Sequence, residues 1–62
     1  MTKEQATALG YSLIKASICE VGLIKNGKGI RTWWASDFNG KMPELDHPKI
    51  MEAIEITEDW SR

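Results

Sequence analysis

"SICEVGLIKNGKGIRTWWAS", residues 17–36, decides how the rest of the chain is read. Two runs rich in β-branched and aromatic side chains flank Asn26, Gly27, Lys28 and Gly29, and Asn-Gly between such runs is a strong hairpin signal. A two-residue turn at Asn26-Gly27 pairs Lys25 with Lys28, Leu23 with Ile30, Val21 with Thr32 and Cys19 with Trp34. A turn at Gly27-Lys28 pairs Val21 with Trp34 and Gly22 with Trp33 instead. Either register sorts the side chains the same way. Cys19, Val21, Leu23, Ile30, Thr32 and Trp34 share one face; Ile18, Glu20, Gly22, Ile24, Arg31, Trp33 and Ala35 share the other. Successive strand residues point to opposite faces, so Trp33 and Trp34 are expected to have different roles. The face with Val21 and Leu23 claims Trp34 for the core. Trp33, beside Ile18, Ile24 and the stem of Arg31, awaits cover from a helix or from another chain. A competing reading continues a helix from residue 3 to residue 24.

Upstream, residues 3–16 read as a helix, because Ala6, Leu9, Leu13 and Ala16 recur at three- and four-residue steps. Thr2 is its predicted N-cap, with Gln5 completing a capping box. Gly10 costs that helix about 1 kcal/mol relative to Ala, or else lets another backbone come close. Downstream, residues 37–47 form a loop with a turn at Asn39-Gly40, and Phe38 and Met42 are expected to tuck under the domain. Residues 47–57 read as a second helix, capped by Asp46 or His47, with Pro48 in its first turn. Leu45 and Ile50 suit a hydrophobic staple. Ile50, Ala53, Ile54 and Thr57 form the core stripe, while Glu52 and Glu55 face out. Glu58 and Asp59 oppose the negative end of the helix dipole, which predicts a stop near residue 57. "AIEIT", residues 53–57, also alternates and leaves a short strand open there. The expected fold is a single α+β domain over 1–62, in the order α-β-β-α, completed by dimerisation.

The dimer expectation comes from size. A chain of 62 residues buries only about 60% of its unfolded surface, and small scaffolds usually add a disulfide, a metal or a second subunit. One cysteine, Cys19, and one histidine, His47, supply neither a disulfide nor a zinc site. The lone thiol and the lack of a signal-peptide pattern at the start point to a cytoplasmic location. There is no apolar run long enough for a membrane span.

Net charge is −1, but residues 1–32 carry five basic against two acidic side chains and residues 33–62 three against seven. Such asymmetry can orient a partner. No catalytic constellation stands out. Cys19 is expected on an apolar strand face, where cysteine behaves as a small hydrophobe, and His47 reads as a helix cap. No phosphate loop or dinucleotide fingerprint occurs, so no cofactor is expected. The predicted function is non-enzymatic protein binding. Trp33, Arg31, Ile24, Ile18 and Lys28 are the candidate partner surface, since Trp and Arg are enriched at binding hot spots.

Two other surfaces carry rival readings. Glu44, Glu52, Glu55, Glu58 and Asp59 form an acidic segment suited to a basic protein surface or to imitation of nucleic acid. A tiny, motif-free chain with exposed aromatics is similar to accessory proteins of phages and plasmids, which implies inhibition or modulation of a host factor. Alternatively, Lys25, Lys28 and Arg31 near two Trp residues fit a small RNA- or single-stranded-DNA-binding protein, in which charge tracks phosphates and rings stack on bases. The sequence pI of about 5.7 weighs against that alternative.

Overall fold

Helix α1 of the computed structural model, which describes residues 1–61, spans Lys3–Ala8 and starts as its sequence dictates. The Thr2 hydroxyl accepts from the Gln5 N–H at 3.1 Å, and the Gln5 side-chain oxygen accepts from the Thr2 N–H at 2.8 Å. The helix does not continue to residue 16. Gly10 takes φ +96°, and a Cβ there would lie 2.1 Å from Asn26 Oδ1. The Gly10 carbonyl accepts from the Asn26 N–H at 3.0 Å. Gly10 therefore ends α1 by admitting a neighbouring turn, and the chain turns into strand β1, Tyr11–Ser17. Along β1, Tyr11 and Leu13 face inward and Ser12 and Ile14 outward. That two-residue alternation sits inside the apolar pattern that also reads as helical.

Strands β2 (Glu20–Lys25) and β3 (Lys28–Trp34) follow, giving an antiparallel sheet in the order β1-β2-β3. The chain is α+β, but its order is α-β-β-β-α, with one strand more than expected. The hairpin turn is the Asn26-Gly27 one: both residues have positive φ, 51° and 86°, as a type I′ turn requires. Lys25 faces Lys28 and Ile24 faces Gly29, but Leu23 then faces Arg31. Ile30 is the extra residue of a β-bulge. One extra residue exchanges the two faces of everything beyond it. Val21 pairs with Trp33 and Glu20 with Trp34. The expected assignment is thus reversed: Trp33 enters the core at 7% exposure and Trp34 stands outside at 61%. Nothing lies within 4 Å of a Cβ built on Gly27, so its φ alone sets the cost of a side chain. Gly27→Val is expected to lower stability by about 1 kcal/mol or more; an unchanged urea midpoint would contradict the turn.

The buried set takes Tyr11, Val21, Leu23 and Trp33 from one sheet face, and Ala6, Phe38, Leu45, Ile50, Ala53 and Ile54 from the helices and the loop. Helix α2 runs Pro48–Trp60. His47 is its cap, with Nδ1 accepting from the Lys49 N–H at 3.1 Å, and Pro48 occupies the first turn. The stripe Ile50, Ala53 and Ile54 is buried and Glu52 and Glu55 are exposed, as the periodicity predicts; residues 53–57 are helical, not a strand. The helix nevertheless passes residue 57. Glu58 turns inward, accepting from the Tyr11 hydroxyl and from Lys25 Nζ at 2.8 Å. The ammonium beside the last turn offsets the acid that would otherwise oppose the dipole. Phe38 meets Trp33 and His47 edge-on, with ring centroids 6.1 and 4.9 Å away. Met42, expected underneath, is exposed. Among the described residues, no helix is long and apolar enough to cross a membrane.

Candidate functional site

Both helices and the connecting loop contribute to the core on one side of the sheet, which leaves its other face as the candidate site. Strand pairing sets out that face in three cross-strand rows. Ser12, Ile24 and Gly29 form the row at the hairpin end, and Ile14, Gly22 and Thr32 the middle row. Glu20 and Trp34 pair in the third, with Ser17 of β1 opposite Glu20 and Ala16 left unpaired at a register shift between Lys15 and Ser17. Ile14 is 42% exposed. Its side chain leans over Gly22, so that a Cβ on Gly22 would lie 3.2 Å from Ile14 Cγ1 and 3.3 Å from the Ala16 Cβ. A shallow depression of about 310 Å³ occupies the middle and hairpin-end rows, with Ile14, Gly22, Ile24, Gly29 and Thr32 in its lining and Arg31 at the β3 side. Trp34 rises at the opposite end. The only ionisable side chain in these rows is Glu20, which accepts from the Ser17 hydroxyl at 3.0 Å.

The bulge scatters the partner surface expected from the sequence. Trp33 is core. Arg31 remains on its face and lays its guanidinium over the ring, 5.2 Å from the centroid. Ile24 lies on the opposite, open face. Ile18 sits in the β1–β2 turn, 91% exposed, and Lys28 is at the far hairpin tip. Cys19 is exposed in the β1–β2 turn, not on an apolar strand face.

The acidic residues are likewise divided. Glu44 pairs with Lys3 at 3.2 Å and Glu55 with the N-terminal amine at 3.8 Å. Glu52, Glu55 and Asp59 are exposed on α2, whereas Glu58 is half-buried against Tyr11 and Lys25. Exposed pairs of this kind contribute little to stability. A second groove, of about 560 Å³, runs between α1, β1 and residues 42–45, with Lys3, Glu4 and Glu44 at its rim. Among the described residues, no group of three or more His, Cys, Asp or Glu is placed to hold a metal ion.

Sequence reasoning missed Trp34, Ile14 and Thr32 as surface residues of one site. The available signal was the alternation in "YSLIKAS", residues 11–17, which makes β1 the third strand of the same face. Gly29, an isolated glycine inside the β3 run, is the residue-type signal that could have marked the bulge. Comparison with protein-family models, with curated proteins and with solved structures finds no match to this chain.

Proposed function

We propose that this chain is a non-enzymatic protein-binding module whose contact surface is the open sheet face. The observation that carries the reading is Trp34, 61% exposed on a nearly uncharged face beside Ile14, Ile24 and Thr32. An antiparallel sheet with one solvated face normally alternates apolar-in with polar-out. Here both faces carry apolar side chains, and an apolar patch rimmed by polar groups is a mark of an interaction surface. Modulation of a larger factor by surface contact, as accessory proteins do, is consistent with a domain of this size. The rival nucleic-acid reading needs cations beside the stacking ring. Arg31 borders the hollow beside Trp34 but holds its guanidinium over the Trp33 ring, Lys25 is engaged by Glu58, and the acids Glu20 and Asp37 line that same hollow; this disposition favours protein over nucleic acid.

The test compares binding by wild type, Trp34→Ala, Ile14→Lys and Arg31→Ala. Folded Trp34→Ala and Ile14→Lys should lose a saturable protein contact by about 2 kcal/mol or more, and Arg31→Ala should keep it. Binding should change little with salt. Tight binding of single-stranded RNA or DNA that falls steeply with salt, with Arg31→Ala the weaker variant, would reverse the assignment.

A further inference from the structure

We infer that the partner on the open sheet face is a second copy of this chain, packed face to face about a twofold axis along the Ile14–Gly22–Thr32 row. The inference rests on the reading of that face as a protein-binding surface. A twofold contact is isologous: whatever residue i touches on j, j touches on i. An axis in the interface along the middle row lays each strand over its own copy in reverse, and so exchanges the two outer rows. Trp34 of each copy then stands over Gly29 of the other. Trp34 is the largest projection on the face; of the two glycines on it, Gly22 is overlain by Ile14, whereas Gly29 is uncovered, with nothing within 4 Å of a Cβ built there. Packed sheets lie about 10 Å apart, so a Trp opposite a Gly fits where a Trp opposite a larger residue collides. Knob and notch stand at the two ends of one strand, symmetric about the row that becomes the axis.

Charge permits the same arrangement. Like charges facing each other across an interface cost several kcal/mol; Arg31, the one cation bordering the depression, holds its guanidinium over the Trp33 ring of its own copy. Glu20, held by Ser17, stands over Ile24 of the other copy when the outer rows exchange, and so meets no like charge. The edge of β3 offers a poorer route to self-association, because antiparallel pairing centred on Arg31 would set that guanidinium against itself. Area sets the strength. Strands of seven residues at about 3.3 Å per residue, three abreast at about 4.8 Å, outline roughly 330 Å². That is below the roughly 800 Å² per partner of stable complexes. The dimer is therefore of the weak class, forming at high concentration and parting on dilution.

Analytical ultracentrifugation from micromolar to millimolar protein tests this on wild type, Trp34→Ala and Gly29→Tyr. Both variants change exposed positions, so both should keep the wild-type circular dichroism. Wild type should show a concentration-dependent monomer–dimer equilibrium that moves little with salt. Each variant should raise the dissociation constant about tenfold or more, the lower range of hot-spot effects: Trp34→Ala by removing the knob, Gly29→Tyr by filling the notch. A wild type that stays monomeric at millimolar concentration overturns the inference, as does a dimer that neither variant weakens. If the chain stays monomeric while another protein binds in a Trp34-dependent way, the second copy is the wrong partner and the binding face stands. If neither occurs, both fall.

Discussion

Trp33→Ala should remove most of the stability of this domain, and Trp34→Ala almost none of it. The two residues are neighbours of identical chemistry, so the contrast isolates the face each ring occupies. Trp33 is packed under Arg31, against Phe38, opposite Val21. Truncating a buried aromatic to Ala costs about 3–5 kcal/mol, since transfer free energy is lost and a cavity is left. A domain of 62 residues has only about 3–9 kcal/mol in total at ordinary stability per residue. The variant should therefore be largely unfolded at 37 °C, a temperature typical of growth rather than a property of this chain. Trp34 gives up little burial and should stay within about 0.5 kcal/mol, as surface substitutions do. Urea unfolding curves of the two variants decide it. Equal losses, or a larger loss for Trp34→Ala, would mean that the Ile30 bulge does not hold and the faces are reversed.

That contrast also marks where the fold is legible in the sequence and where it is not. Chemistry confined to one or two residues is legible: the Thr2–Gln5 capping box, the Asn26-Gly27 turn, the His47 cap with Pro48, and the stripe Ile50, Ala53 and Ile54. Each depends on local geometry that few other residues satisfy. The extent of an element is less legible, because it is set by contacts made elsewhere. Residues 9–16 have helical spacing and short-range alternation at once, and the arrival of the Asn26 turn at Gly10 selects the strand. Glu58 and Asp59 look like a helix stop until Lys25 and Tyr11 are brought beside Glu58. The candidate site was the least legible part. A correct turn, extended with perfect alternation, put Trp33 on the binding face; one bulged residue moved Trp34 there instead. Ile24 was the one member of the expected surface that belongs to the open face, because it precedes the bulge.

Tyr11→Ala should cost at least as much as Trp33→Ala, for reasons that join both ends of the fold. Tyr11 opens β1, is fully buried, and lies under Lys25, whose Nζ is 5.1 Å from the ring centroid. Its hydroxyl donates to Glu58 in the last turns of α2, and Lys25 at the end of β2 holds the same carboxylate at 2.8 Å. The ring contributes about 3–5 kcal/mol as a core truncation. The hydroxyl adds a hydrogen bond to a charged acceptor, about 1.5–3 kcal/mol in general. Tyr11→Phe should lose about 1.5–2 kcal/mol, the low end of that range, because Lys25 stays on Glu58.

Alkaline pH reads the same contact without mutation. Burial, and then the hydrogen bond to Glu58 and its charge, push the Tyr11 hydroxyl up to about 12 from its ordinary 10.0. Above pH 10 the unfolded chain gives up this proton while the folded one keeps it, so the unfolded state binds fewer protons and stability falls as pH rises. The contribution is complete below about pH 10 and is lost by about pH 12, on the order of 2 kcal/mol. Tyr11 is the only tyrosine in the chain, so ultraviolet titration reports it directly. The difference between wild type and Tyr11→Phe isolates the share of this hydroxyl. Stability curves of the two proteins that run parallel from pH 9 to pH 12, the interval set by the shifted hydroxyl, would show that Tyr11 does not fasten β1 to the end of α2.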